Sequence, residues 1–365
     1  MNRLSLLIAL VTLALGTLVP TAAHGQADGD QREVIARVDR PTAIAAHAGR
    51  VVWSVRTGDE FRLMTWANGT VTDVPVPSRP VPFDVDLGPG PDGDPVAVYS
   101  RCRTEGAAGG FNIASYLAGR GCDIYMYDFE AGRERRVAEV SSPGGSEAWP
   151  TIWRSKLAFA RAYDNKRNYP YIYVKDLSSD RGSRRLPGGP RNKCRRSDSA
   201  RRECTNPRLS QPIALELYGR RLAFAWRYAD FTDGFAYDLR LDDLGLRNGN
   251  PRRLVHQRGG GLTAIVVGWP GFEQGDIYWS AACFGDPGGC PGRRLLARSS
   301  YAGPFSPSTV DPREAVFSHD RASRSTYLLI DTFGSAGGTE CRGDPDVPGG
   351  TCLLVRTQPR YGAGG

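Results

Sequence analysis

Eight cysteines fall into four close pairs: Cys102 with Cys122, Cys194 with Cys204, Cys283 with Cys290, and Cys341 with Cys352. Cysteines spaced this way serve disulfide formation or zinc binding. A structural zinc site needs CxxC-like spacing or nearby histidines. This chain has no CxxC and four His in all. Disulfides are therefore expected, and no metal or other cofactor. Eight cysteines allow about a hundred connectivities, and the sequence does not choose among them. Neighbour pairing is the economical choice, because each pair brackets one Gly-rich or polar loop.

Carboxylates are the next candidates for chemistry. Asp84, Asp86 and Glu147 lie near segments expected to line a channel. Two carboxylates flanking one bond are the equipment of a glycosidase. Asp84 and Asp86 share one strand face, however, and no partner across a channel is legible. Their plainer reading is local hydrogen bonding at strand ends and turns. His47, His256 and His319 among many Ser and Asp mark no Ser-His-Asp constellation. Asp92-Gly93-Asp94 is too short for an EF-hand-type loop and lacks its distal Glu. It reads as a turn. No catalytic residue is assigned.

Charge is concentrated in one segment. Residues 181–202 hold nine basic groups, Arg181, Arg184, Arg185, Arg191, Lys193, Arg195, Arg196, Arg201 and Arg202, against Asp198 alone. The whole chain carries a formal net charge of +8, so the rest is close to neutral. Such a cluster favours anionic partners: phosphate- or carboxylate-bearing polymers, or lipid headgroups. A merely solvated loop is the competing reading. Nucleic acid is not expected, since the aromatic interleaving that stacks single strands is missing.

The N-terminus reads as an export signal. Arg3 supplies the positive end, residues 4–19 are almost wholly apolar, and Pro20 ends the run. Small residues then permit cleavage after Ala23 or Gly25. The expected organisation is a signal peptide at 1–25, a flexible stretch at 26–32, one domain at 33–358 and a disordered tail at 359–365. No later segment is apolar enough to span a bilayer. Export suits the cysteines, because disulfides persist outside the cytosol. The expected location is secreted or extracytoplasmic, in the periplasm or envelope. The basic residues are overwhelmingly Arg, and with 44 Gly and 26 Pro the usage fits a GC-rich bacterial genome. A monomer is expected.

What would position these residues is a repeat. A turn with Gly or a basic residue leads into a short apolar-Ala-aromatic strand at Arg50-Val51-Val52-Trp53, Lys156-Leu157-Ala158-Phe159 and Arg221-Leu222-Ala223-Phe224. Looser copies stand at Val96-Ala97-Val98-Tyr99 and Asp276-Ile277-Tyr278-Trp279. Repeats of this size, built only of strands, indicate a β-propeller. Blades of four strands can be laid out along the chain. In the second, the strands are expected at 83–87, 96–101, 123–128 and 135–140. The sixth blade lacks its outer strand, and a spare strand, Glu33-Val34-Ile35-Ala36-Arg37-Val38, precedes the first. The expected fold is thus all-β, a six-bladed β-propeller closed by the mature N-terminal strand. Closure removes exposed sheet edges. Trp53, Trp153, Trp226 and Trp279 read as inter-blade core, with Trp149 and Trp269 nearer the channel.

The blades resemble the WD40-like repeat of the TolB family. Pro91-Asp92-Gly93 precedes Val96-Ala97-Val98-Tyr99, and Asp123-Ile124-Tyr125-Met126-Tyr127-Asp128 follows. A second copy pairs Leu157-Ala158-Phe159 with Tyr171-Ile172-Tyr173-Val174-Lys175-Asp176. The resemblance spans residues 33–358 and implies the propeller fold. Only one copy keeps Pro-Asp-Gly, and the separate N-terminal domain of TolB proteins is missing, so that family's envelope role does not carry over. There is also no Gly-x-Ser-x-Gly elbow of the hydrolases that accompany related propellers.

Propeller geometry sorts the loops onto two faces. The turns from first to second strand are tight, as at Gly49-Arg50. The long insertions, at 103–121, 187–207, 284–289 and 342–351, all fall on the opposite face, and the cysteine pairs brace them. The expected function is binding of a protein or an anionic polymer through that face, with Arg184, Arg185, Arg191, Lys193, Arg195, Arg196, Arg201 and Arg202 as anionic-ligand contacts. The alternative is an extracytoplasmic glycosidase- or lactonase-like enzyme using channel carboxylates.

Overall fold

A computed structural model describes residues 32–38, 42–106, 119–163, 169, 171–187, 194–196, 202–204, 211–229, 235–245, 251–258, 264–284, 294–301, 308–309, 314–331 and 352–357. The chain divides into two units, Met1–Gln31 and Arg32–Gly365, and every described residue belongs to the second. The expected signal peptide at 1–25, the stretch at 26–31 and the tail at 359–365 lie outside the described residues.

All regular elements among the described residues are strands. β1 (Glu33–Val38) comes first. Blade 1 is β2 (Ile44–His47), β3 (Arg50–Thr57), β4 (Glu60–Ala67) and β5 (Thr70–Asp73). Blade 2 is β6 (Asp86–Pro89), β7 (Pro95–Thr104), β8 (Arg120–Asp128) and β9 (Arg133–Arg136). Blade 3 is β10 (Gly145–Trp153), β11 (Lys156–Tyr163), β12 (Tyr171–Asp176) and β13 (Arg184–Arg185). A two-stranded ribbon follows, β14 (Cys194–Arg196) with β15 (Arg202–Cys204). Blade 4 is β16 (Gln211–Tyr218), β17 (Arg221–Ala229), β18 (Phe235–Asp243) and β19 (Arg252–Arg258). Blade 5 is β20 (Ala264–Glu273), β21 (Asp276–Phe284), β22 (Arg294–Ser300) and β23 (Ser308–Thr309). Blade 6 holds β24 (Glu314–Asp320), β25 (Ser325–Asp331) and β26 (Cys352–Thr357), with β1 paired antiparallel to β26 as its outer strand.

The fold is all-β and six-bladed. The inner strands touch in the order β2, β6, β10, β16, β20, β24 and back to β2. Six apolar clusters fill the six gaps between neighbouring blades. The gap between blades 1 and 2, for example, holds Val52, Leu63, Phe83, Leu87, Ala97 and Tyr99. The recurring strand phrase supplies this packing. The second strand of each blade is covered on both faces, so it is apolar at successive positions rather than alternating. Val51, Val52 and Trp53 are fully buried, as are Leu157, Ala158, Phe159 and Ala160. Inner strands crowd towards the axis. A Cβ on Gly88 would lie 2.3 Å from the Ile152 carbonyl oxygen of the next blade, so no side chain fits there.

Blade 2 departs from the expected layout. Its inner strand begins at Asp86 rather than 83, because the Asp84 carboxylate accepts the Ser100 N–H that a backbone carbonyl would otherwise take. Its outer strand ends at Arg136 rather than running 135–140. Val137 and Val140 turn inward and are buried against blade 3. The β14–β15 ribbon was not foreseen from the sequence; it pairs Cys194 with Cys204 in register.

Candidate functional site

Asp84 and Asp86 turn out to be joints between blades 2 and 3. Asp84 accepts the Ser100 hydroxyl at 2.6 Å, Arg79 Nη1 at 3.3 Å and, from blade 3, the Trp149 N–H at 2.7 Å. Trp149 holds a φ of 49°, a left-handed conformation costly for a bulky residue. The strain turns its N–H towards Asp84. Asp86 Oδ2 accepts the Thr151 hydroxyl and the Ile152 N–H, each at 2.8 Å. Burial pushes the Asp86 carboxyl up to about 6, against the bonds from Ile152, Thr151 and Leu87. Glu147 Oε1 accepts Arg161 Nε and the Ser142 hydroxyl, each at 2.9 Å. Burial raises the Glu147 carboxyl to about 7, with Arg161 pulling the other way. Across the last gap, Asp320 of blade 6 accepts the N–H groups of Ala48 and Gly49 in blade 1.

One end of the channel is stoppered. His47, Trp153 and Tyr218 end the inner strands of blades 1, 3 and 4, and Arg321 follows that of blade 6. The rings of His47 and Trp153 lie 6.1 Å apart, and those of Trp153 and Tyr218 4.5 Å apart. The Arg321 guanidinium sits 3.0 Å over the Tyr218 ring. Blades 1 and 3 are not neighbours, nor are 4 and 6, so these side chains meet across the axis. Trp153 packs against the apolar cluster between blades 3 and 4, as expected, but it is only partly buried, unlike Trp53, Trp226 and Trp279, because it ends an inner strand rather than sitting within a second strand. Trp149 is instead buried, edge-on to Tyr169 at 5.1 Å.

The opposite face carries a cavity of about 430 Å³ between blade 2 and its connection to blade 3. Its walls include Arg103, Asp123, Arg136, Ser142 and Gly145. The disulfide joining Cys102 to Cys122, register partners on β7 and β8, forms one side. Gly121 takes a φ of 60°, and a Cβ there would lie 2.4 Å from Arg103 Nε, so the guanidinium occupies space that only glycine leaves open. Arg136 Nη1 donates to Asp123 at 3.3 Å. Arg103 has no hydrogen-bond or carboxylate partner among the described residues. With Arg136 and Asp123 paired, one positive charge is left over at this wall. Below the cavity, Ser142 bonds Glu147, and a Cβ on Gly145 would lie 1.9 Å from the Ser142 hydroxyl.

The expected anionic-ligand contacts are only partly in view. Arg184 and Arg185 form β13 and are exposed, with Arg185 over the Tyr171 ring at 4.7 Å. Arg195, Arg196 and Arg202 lie in the β14–β15 ribbon. Arg191, Lys193 and Arg201 lie outside the described residues, as do Cys290 and Cys341. Cys352 is disulfide-bonded. Cys283 lies in β21. Arg103, Arg136, Glu216 and Arg321 were not singled out by sequence reasoning. Glu216 had a signal, an acid inside the apolar inner strand Ile213-Ala214-Leu215-Glu216-Leu217.

No protein-family model matches this chain, and no curated protein is similar to it. Among solved structures, it is similar to TolB from Acinetobacter baumannii, with 15% identity and a TM-score of 0.46 over 85% of this chain. It spans 64% of that TolB chain. It is also similar to an α-L-arabinanase from Penicillium chrysogenum complexed with arabinobiose, with 11% identity and a TM-score of 0.44, over 90% of this chain and 97% of that one. An oligogalacturonate lyase in complex with manganese matches at 9% identity and a TM-score of 0.39, over 84% of this chain and 76% of that one. None of these likenesses transfers a ligand or an activity.

Proposed function

We propose that this chain is a secreted or envelope-associated binding propeller that holds an anionic group, on a protein or a cell-envelope polymer, at its disulfide-braced loop face. The observation that carries the reading is Arg103, a guanidinium without a carboxylate partner among the described residues, on the wall of a cavity whose other two charges pair with each other. A cationic wall left over in a concave site favours an anion. The exposed Arg184 and Arg185 and the basic segment after them extend the positive surface. The fixed bonds of Asp84 and Asp86 favour binding over glycosidase- or lactonase-like catalysis by these two groups. Pairing of β1 with β26 supports closure of the ring by the N-terminal strand.

The test is binding of the chain from residue 26 onward to immobilised polyphosphate and poly-L-glutamate. Arg103→Gln is expected to weaken binding about tenfold, the scale of one charged hydrogen bond. Unchanged binding by Arg103→Gln would remove the cavity from the reading. Unchanged binding after the basic residues of 181–202 are replaced as well would remove the anion.

A further inference from the structure

The walls of the Arg103 cavity show which hydrogen bonds a ligand there has to bring. Ser141 and Ser142 both line it. The Ser142 hydroxyl donates to Glu147 Oε1 at 2.9 Å, and the Ser141 hydroxyl donates to the Val137 carbonyl at 3.3 Å. A hydroxyl has one proton, so both oxygens are left to a ligand as acceptors only. The Ser142 proton stays committed whatever the charge on Glu147. Glu147 Oε1 also accepts Arg161 Nε at 2.9 Å, so a proton taken up by this carboxyl goes to Oε2, which has no partner among the described residues. Backbone donors of the wall are spent as well. The N–H groups of Cys122, Ala138 and Gly145 donate to Ser146 Oγ at 2.9 Å, the Arg136 carbonyl at 3.1 Å and the Ser142 carbonyl at 3.0 Å.

The charge count is equally specific. Arg103 and Arg136 against Asp123 leave one positive charge at the wall, and behind it Glu147 is matched by Arg161. A dianion would bring a second negative charge beside the Asp123 carboxylate with nothing to balance it. A monoanion without hydroxyls would satisfy Arg103 and leave the acceptors of Ser141, Ser142 and Asp123 stripped of the donors that water gives them, which is costly. A neutral sugar would supply those donors and leave Arg103 unmatched. A ligand with one carboxylate and several hydroxyl groups answers both demands. The cavity, about 430 Å³, lies toward the small end of ligand sites, a scale that suits a sugar residue.

We propose that the Arg103 cavity binds a singly charged acidic sugar, its carboxylate on Arg103 and its hydroxyl groups donating to Ser141, Ser142 and Asp123. This rests on the anion reading of the cavity and narrows it from anions in general to uronate-like groups.

The experiment is calorimetric titration at pH 8 of the chain from residue 26 onward. The probes are D-glucuronate, D-mannuronate, their neutral methyl esters, acetate, and glucose 6-phosphate as a dianionic sugar. At least one uronate is expected to saturate below about 10 mM, with its methyl ester, acetate and glucose 6-phosphate each at least about tenfold weaker. Arg103→Gln should weaken that uronate about tenfold and Ser142→Ala about fivefold. A methyl ester, acetate or glucose 6-phosphate that binds the wild-type chain as tightly as the uronate overturns the proposal, a comparison that holds even if the variants fail to fold. So does uronate binding that Arg103→Gln leaves unchanged. If neither uronate saturates while polyphosphate binding still depends on Arg103, the acidic sugar falls and the anion reading stands. If neither uronate nor polyphosphate binds, both fall.

Discussion

Asp86 in blade 2 and Thr151 in blade 3 share a hydrogen bond of 2.8 Å, and the same Thr151 oxygen accepts the Leu217 N–H of blade 4 at 2.7 Å. One hydroxyl therefore ties three blades near the axis. The other joints use the same device, a side-chain oxygen of one blade taking an N–H or O–H of the next. Thr326 of blade 6 donates to Glu273 of blade 5 at 3.1 Å, and Phe83 N–H reaches Ser54 at 2.9 Å between blades 2 and 1. Inner strands of different blades form no ladder with one another among the described residues, and apart from single bonds such as Arg154 N–H to the Pro89 carbonyl at 2.6 Å, polar groups at these edges find side-chain partners.

Thr151→Val keeps the shape and removes the hydroxyl. It leaves the Leu217 N–H without its acceptor and takes one donor from Asp86. A loss of about 2–3 kcal/mol is expected, the cost of stranding a buried polar group. Thr151→Ser should recover most of it. Urea unfolding of the three proteins measures both.

Asp86 gives stability a pH dependence of definite sign. Its carboxyl stands at about 6 in the fold against 3.8 for the free group, so the folded chain holds this proton more tightly than the unfolded one. The contribution is fully present below about pH 4 and is lost as pH rises through about 6. Its size is of order 3 kcal/mol. Asp86→Asn keeps an oxygen for Thr151 and Ile152 and cannot titrate. Urea midpoints between pH 4 and pH 7 should therefore fall less steeply in Asp86→Asn than in the wild-type chain.

Asp320 clasps blade 6 to blade 1 through two backbone N–H groups. Asp320→Ala is expected to cost about 2 kcal/mol. Asp320→Asn, with one acceptor oxygen, should cost less. Amide exchange at Ala48 and Gly49 should quicken in Asp320→Ala before exchange in blade 3 does.

Replacing Cys102 and Cys122 by Ser opens a crosslink between residues 20 positions apart. A destabilisation of about 3 kcal/mol is expected from the freed chain entropy. Polyanion affinity should fall with it, because Arg103 is then carried by a loosened hairpin. If affinity survives intact in the doubly substituted chain, bracing plays no part in binding.

Much of the fold was legible because burial on both faces forces a run of apolar residues, as at Leu222-Ala223-Phe224, and tight turns punctuate it. Blade 2 was legible only in its middle strands. Asp84 substitutes a side chain for a strand carbonyl, and nothing in its residue type announces that. The sites were harder still. Trp153 shares its type with three core tryptophans and differs only in ending an inner strand. Arg103 and Arg136 are 33 positions apart and meet one cavity only after β7, β8 and β9 have paired. Glu216 was not singled out either, although an acid between Leu215 and Leu217 breaks an otherwise apolar strand.

The outer strand of blade 6 has a consequence in time. Glu33 meets Arg356, 323 positions away, at 3.5 Å. β1, the first of the described strands, therefore waits for β26, the last of them, and blade 6 cannot assemble until the residues between them have been made. Contacts of such long range slow folding, and a waiting strand edge is exposed to aggregation meanwhile. A circular permutant that begins in the turn before β24, with the present ends joined, would make all four strands of that blade consecutive in synthesis. It should refold faster than the natural order, with little change in its final stability.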